Sequence, residues 1–189
     1  MITFREADHT YWEGNQRWPS VTEILQAEGL VDTTWFDEWS RTRGTYVHQA
    51  IKLYNKGELL EKDLDERLAP YLNAWRQFRQ NSDIEIIASE KMVYSELWQY
   101  AGRLDLFCKI NGEDSIIDLK SGAVDASVAL QLAAYAMCFE NYYSIKRYGL
   151  SLKGGRPSIV AFKDYKDFEI WRALVAIYHY ELNNGIIKK

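Results

Sequence analysis

A chain of 189 residues with 47% hydrophobic content is long enough for one substantial core and short for two, so a single α/β domain spanning 1–189 is expected. Its net charge of −4 excludes a histone-like binder that coats nucleic acid by charge alone, although a local cationic cleft remains compatible with it. Two cysteines, Cys108 and Cys138, read as buried free thiols and are too few for a four-cysteine zinc or iron–sulfur site.

Along the chain, Ile2 to Phe4 and Thr10 to Trp12 flank Ala7-Asp8-His9 and read as a small hairpin, which Trp18-Pro19 stops. Ser20 with Glu23 has capping-box spacing, so a short helix starts there, with Val21, Ile24 and Leu25 on its apolar face. A second helical stretch begins near Thr33 or Thr34. Its latter part, Arg41 to Lys56, has Val47, Ala50, Ile51 and Tyr54 at helical spacing and is ended by Gly57. Gly44 and His48 then lie one turn apart. Helical periodicity returns from Leu64 to Gln80, where Pro70 delays the start or kinks the helix.

Three β-rich stretches follow, Ile84 to Tyr94, Tyr100 to Ile110 and Ser115 to Leu119, and the breaks between them predict consecutive antiparallel strands. Asp105 and Asp118 fall on neighbouring strands in that arrangement. Asp125 or Ser127 caps a helix from Val128 to about Asn141, with Leu130, Ala133, Ala134, Met137 and Cys138 towards the sheet. Arg147 to Leu152 and Ser158 to Phe162 form a further strand pair around Gly154-Gly155, and a final amphipathic helix occupies about Asp167 to Leu182. Seven Trp and thirteen Tyr suit bulky core packing, and secondarily stacking on flat ligands. No leader pattern and no run of membrane-spanning length is visible, so a soluble cytoplasmic protein is expected.

The chemistry concentrates between Tyr100 and Tyr135. Asp118 and Lys120 stand at i and i+2 of a strand, so both emerge on one face. By itself an Asp-Xaa-Lys triplet is more often an ion pair on a solvated sheet. Here Ile116, Ile117 and Leu119 surround it, and burying two charges without partners is costly. Gly102-Arg103-Leu104-Asp105 brings a second acid alongside, and two acids beside a lysine suit a hard cation with oxygen ligands. Gln131 and Tyr135 lie one turn apart on the next helix, where an amide and a phenol can contact a phosphate or orient Lys120.

In this order the motifs resemble the PD-(D/E)XK nucleases of the RecB-like, phage exonuclease-like group. The resemblance rests on Gly102 to Asp105, Asp118 to Lys120, Gln131 to Tyr135, and Gly-Thr-Xaa-Xaa-His at Gly44 to His48. It implies an α/β fold with a mixed central sheet flanked by helices, a restriction-endonuclease-like αβββαβ core over about 41–163, and an N-terminal hairpin and helical additions. It further implies catalytic Asp105, Asp118 and Lys120, and a Mg²⁺ or Mn²⁺ ion held by His48, Asp105, Asp118 and the Leu119 carbonyl. Glu90 is either a further ligand or an exposed acid paired with Lys91. Gln131 and Tyr135, with Arg41 and Arg43, would contact nucleic acid. The implied activity is exonucleolytic hydrolysis of DNA phosphodiesters to 5′-phosphate and 3′-hydroxyl ends, in phage or bacterial replication, recombination or repair, alongside a protein partner of those processes. A non-catalytic nucleic-acid binder and a structure-specific endonuclease on the same fold are the alternatives.

Overall fold

The computed structural model describes residues 1–31 and 38–187. Its elements are β1 (Ile2–Arg5), β2 (Thr10–Glu13), β3 (Gln16–Trp18), α1 (Val21–Ala27), α2 (Glu38–Lys56), α3 (Ala69–Asn81), β4 (Ile84–Ser95), β5 (Tyr100–Ile110), β6 (Glu113–Lys120), α4 (Ser127–Ala136), β7 (Lys146–Ser151), β8 (Ser158–Phe162) and α5 (Lys166–Asn183). The helix start expected near Thr33 or Thr34 lies outside the described residues.

The N-terminal hairpin gains a third strand. β1, β2 and β3 pair antiparallel, with Gly14 at φ +57 supplying the left-handed residue between the last two. Ser20 caps α1 as its spacing predicts: its side chain accepts the Glu23 N–H at 3.0 Å, and the Glu23 carboxylate returns to the Ser20 N–H. Glu23 is further held by Arg17, at 2.9 and 2.8 Å, so β3 and α1 are tied by charge as well as by chain continuity.

Local signals set several boundaries. Gly57 follows α2 at φ +71 and its N–H bonds back to Tyr54, a helix end that a residue with a side chain would strain. α3 begins at Ala69 rather than Leu64, because Pro70 fits the first turn, where its missing N–H costs nothing. Before it lies only a 3₁₀ turn, Glu61–Asp63. α4 stops at Ala136, five residues short of the expected Asn141, and its N-cap position is Ala126. Asp125 acts one residue further out, where its carboxylate accepts the Ser127 N–H at 2.8 Å. The buried face of α4 is Val128, Leu132, Ala133, Ala134, Tyr135 and Ala136, so the expected Leu130, Met137 and Cys138 stand at the margin of the core.

The main sheet has the order β4-β5-β6-β7-β8. β4, β5 and β6 form an antiparallel meander, β6 and β7 are parallel, and β8 returns antiparallel at the edge. The parallel pair requires a crossover, and α4 supplies it. Both sheet faces are covered: α1, α4 and α5 pack on one through Leu104, Ile116, Leu132 and Trp171, while α2 and α3 pack on the other through Val47, Trp75, Leu106, Ile117 and Leu119. β6 is therefore buried on both sides, and this explains its nearly continuous apolar run. Gly149 on β7 pairs with Asp118 on β6, and a Cβ there would come 2.6 Å from Val124, so the loop after β6 lies directly on that glycine.

The small sheet joins the large one at Ala101. Ile2, Tyr11 and Trp18 bury this alanine, whose N–H donates to Pro19 O at 3.0 Å. No helix among the described residues is long and apolar enough to cross a membrane.

Removing the capping hydroxyl tests the link between sequence and this entry to the core. Ser20→Ala is expected to destabilise the protein by about 1 kcal/mol, seen as a fall in melting temperature of about 2–4 °C for a chain of this size.

Candidate metal centre

The ladder between β5 and β6 extends to the Leu106–Ile117 pair, and there the strands fork. Beyond it, Asp105 Oδ2 accepts the Leu119 main-chain N–H at 2.6 Å, so a carboxylate fills the position of a backbone partner. On the other side of β5 the pairing passes from Ser89–Leu106 to Lys91–Leu104, and Glu90 between them has φ 55. A left-handed backbone at a glutamate costs on the order of 1–3 kcal/mol and concentrates at working sites.

Three side chains able to hold a metal ion meet at this fork. Ligand atoms of His48, Glu90 and Asp105 all lie within 4.8 Å of one another. His48 comes from α2, with Nδ1 3.3 Å from Asp105 Oδ1 and 3.8 Å from Glu90 Oε1. Its Nε2 sits 2.9 Å from Leu119 O, and because a carbonyl only accepts, Nε2 carries the proton and donates. In the neutral ring Nδ1 then keeps its lone pair, directed at the acids. The Leu119 carbonyl, expected as a further oxygen ligand, is thus engaged by His48. Glu90 is not paired with Lys91, whose ammonium lies over the Phe107 and Phe139 rings at 5.5 and 5.1 Å.

Asp118 and Lys120 stand beside this group and face α4. Asp118 is 3% exposed, and its Oδ2 lies 2.9 Å from Lys120 Nζ yet has no aligned hydrogen bond among the described residues. Lys120 also reaches Gln131 Oε1 at 3.4 Å, and Gln131 Nε2 donates to the Tyr135 hydroxyl at 3.1 Å. Gln131 and Tyr135 are thus linked to Lys120 in one hydrogen-bonded chain. Arg43 Nε donates to Ser121 Oγ at 3.3 Å, next to Lys120, whereas the side chain of Arg41 lies outside the described residues.

Burial and charge compete at each group. Burial pushes the Asp118 carboxyl up to about 6 against the pull of Lys120, and the nearby Asp105 adds to the rise. Burial also works against ionised Asp105, but His48 and the Leu119 N–H outweigh it and hold the carboxyl below its ordinary value. Burial alone would lower His48 and Lys120; the surrounding carboxylates overcome this and raise both. Three acids thus surround one lysine and one imidazole, whose Nδ1 can donate its lone pair to a metal that displaces its proton. Carboxylate oxygens, one imidazole nitrogen and an unaligned buried Asp118 oxygen make a donor set that fits a divalent metal ion.

Gly102 leaves room for a side chain of α4. A Cβ there would lie 2.6 Å from Tyr135 Cε1 and 3.2 Å from Val21, so the glycine makes room for the Tyr135 ring that supports Gln131. Sequence reading also passed over Ser121, the partner of Arg43, since nothing in its local pattern marks it.

No family model and no curated protein matches the chain. Among solved structures it is similar to a protein of Eubacterium rectale provisionally named an exonuclease, with 14% identity and a TM-score of 0.52, over 88% of this chain and 74% of that one. At that identity the likeness is one of fold, a mixed α/β architecture with a central sheet flanked by helices. A second structure, SSO0001, aligns at 14% identity over 84% of this chain and 83% of that one, with a TM-score of 0.40.

Two outcomes follow from this geometry. Gly102→Ala should cost about 1–3 kcal/mol through overpacking, and much of the loss should disappear when Tyr135→Leu is added, which thermal denaturation of the single and double variants measures. Asp105→Asn should weaken Mn²⁺ binding by more than the roughly 10–100-fold that outer-shell changes cost, read by calorimetric titration.

Proposed function

We propose that the protein is a metal-dependent nuclease of the PD-(D/E)XK type that hydrolyses DNA phosphodiesters, with exonucleolytic action favoured over internal cleavage. The observation that carries this reading is the meeting of His48, Glu90 and Asp105 at the fork of β5 and β6, with the Asp118–Lys120 pair alongside. A divalent cation bound there would supply Lewis acidity, making a water nucleophilic and offsetting charge on the phosphate. Asp105, Glu90 and His48 would hold it, and Asp118 would complete the set by turning from Lys120.

The remaining residues divide the work. Lys120 would orient or help deprotonate the attacking water and stabilise the negative charge developing on the phosphate. Gln131, held by Tyr135, keeps the long Lys120 side chain pointed into the site. Arg43, bonded to Ser121 beside Lys120, would receive the nucleic-acid backbone. In-line attack with departure of the 3′ oxygen leaves a 5′-phosphate and a 3′-hydroxyl.

The test compares single-stranded, duplex and end-blocked DNA with Mn²⁺, Mg²⁺ or EDTA. Cutting should require the metal, end-blocking should suppress it, and Lys120→Ala should reduce the rate by about 10²–10³-fold or more while DNA binding, followed by anisotropy, persists. Binding without any cutting by the native chain would instead identify a non-catalytic nucleic-acid binder.

A further inference from the structure

Glu90 and Tyr135, at the edge of the candidate metal centre, also line a second cleft of about 410 Å³ together with Phe4, His9, Tyr11 and Arg103. Its size falls in the range of roughly 300–1,000 Å³ usual for ligand sites. We propose that this cleft receives the nucleotide adjoining the scissile phosphate of a single-stranded DNA end, with its base against the Phe4–His9–Tyr11 aromatics and its phosphate on Arg103. The proposal rests on the nuclease reading, and it names the part of the substrate that the N-terminal sheet would bind.

Charge selects Arg103. Its guanidinium lies 4.4 Å from the centre of the Phe4 ring, and it has no carboxylate partner among the described residues. The acids nearby are already committed. Glu23, on the cleft wall, is held by both terminal nitrogens of Arg17 and by the Tyr178 hydroxyl at 2.7 Å, and Glu90 belongs to the metal group. A cation stacked on an aromatic ring and lacking an anion is the arrangement that takes a phosphate and a base together.

Position connects the cleft to the chemistry. Arg103 precedes Asp105 by two residues on β5, about 7 Å along the strand, so a phosphate on one and the metal group at the other are within reach of a single nucleotide. The aromatic wall is continuous: Phe4 lies 5.1 Å from Tyr11 and 5.6 Å from His9, the latter edge-on. Tyr11 is buried and anchors this wall, while His9 is exposed at the β1–β2 turn with φ 54. The wall reaches β5 through the packing of Tyr11 and Trp18 on Ala101, two residues before Arg103.

The experiment titrates the full chain with a fluorescent single-stranded DNA oligonucleotide in Ca²⁺, and with the same oligonucleotide carrying an abasic terminal residue. Arg103→Ala should weaken binding by about tenfold, within the range that loss of one stacked base costs, and lower the salt slope by about one. His9→Gly, which suits the left-handed backbone and so preserves the fold, should weaken the intact oligonucleotide and leave the abasic one unchanged. Native-like binding by both variants, or equal native affinity for the two oligonucleotides, would overturn the proposal. A native chain that binds in this Arg103-dependent way but cuts nothing would sink the hydrolytic reading and keep the cleft. Unaltered cutting and binding by both variants would do the reverse.

Discussion

The hydrogen bond from the Leu119 N–H to Asp105 Oδ2, at 2.6 Å, is the interaction on which the site depends. A sheet interior normally satisfies each main-chain N–H with the neighbouring strand, and a buried donor left alone is expensive. Here β5 and β6 separate after Leu106–Ile117, and the carboxylate takes over the accepting role. One side chain thereby closes the hydrogen-bond account of the fork and presents its other oxygen to His48. Because Asp105 is fixed by the backbone it satisfies, the imidazole, Glu90 and Leu119 carbonyl are arranged about a rigid point.

Around that point the fold accepts local costs. Glu90 adopts a left-handed backbone within a strand, and Asp118 is almost wholly buried with an unaligned oxygen. These departures cluster at the same few residues, whereas the surrounding elements obey ordinary rules of capping, alternation and crossover. Concentrated strain within a consistent scaffold is the pattern expected of a site selected for chemistry. The mutual support of Lys120, Gln131 and Tyr135 extends that logic outward, since Gly102 exists to seat the Tyr135 ring.

Much of the fold was legible in short-range pattern. The Ser20–Glu23 capping box, the Gly57 helix stop and the β4–β5–β6 meander each follow from residues within a few positions of one another. The boundaries were less sharp. α3 starts late for the local reason that Pro70 sits in its first turn, α4 stops at Ala136 while its periodic residues run on, and the third strand of the small sheet is only three residues long. At the site, Asp105, Asp118, Lys120, Gln131 and Tyr135 were recognisable as motifs. The contacts of Ser121 with Arg43 and of Arg103 with the Phe4 ring were not, because each joins distant parts of the chain.

The sequence by itself determined that an acidic pair and a lysine would sit on adjacent strands before a helix carrying an amide and a phenol, since side-chain alternation and helical spacing are local properties. Tertiary structure alone decided which of these groups meet. It brought His48 from α2 against Asp105, turned Glu90 through a left-handed residue into the same space, and laid the N-terminal sheet beside Arg103. Those placements depend on strand forking, burial and charge balance across separations of 15 to 99 residues, and no local pattern encodes them.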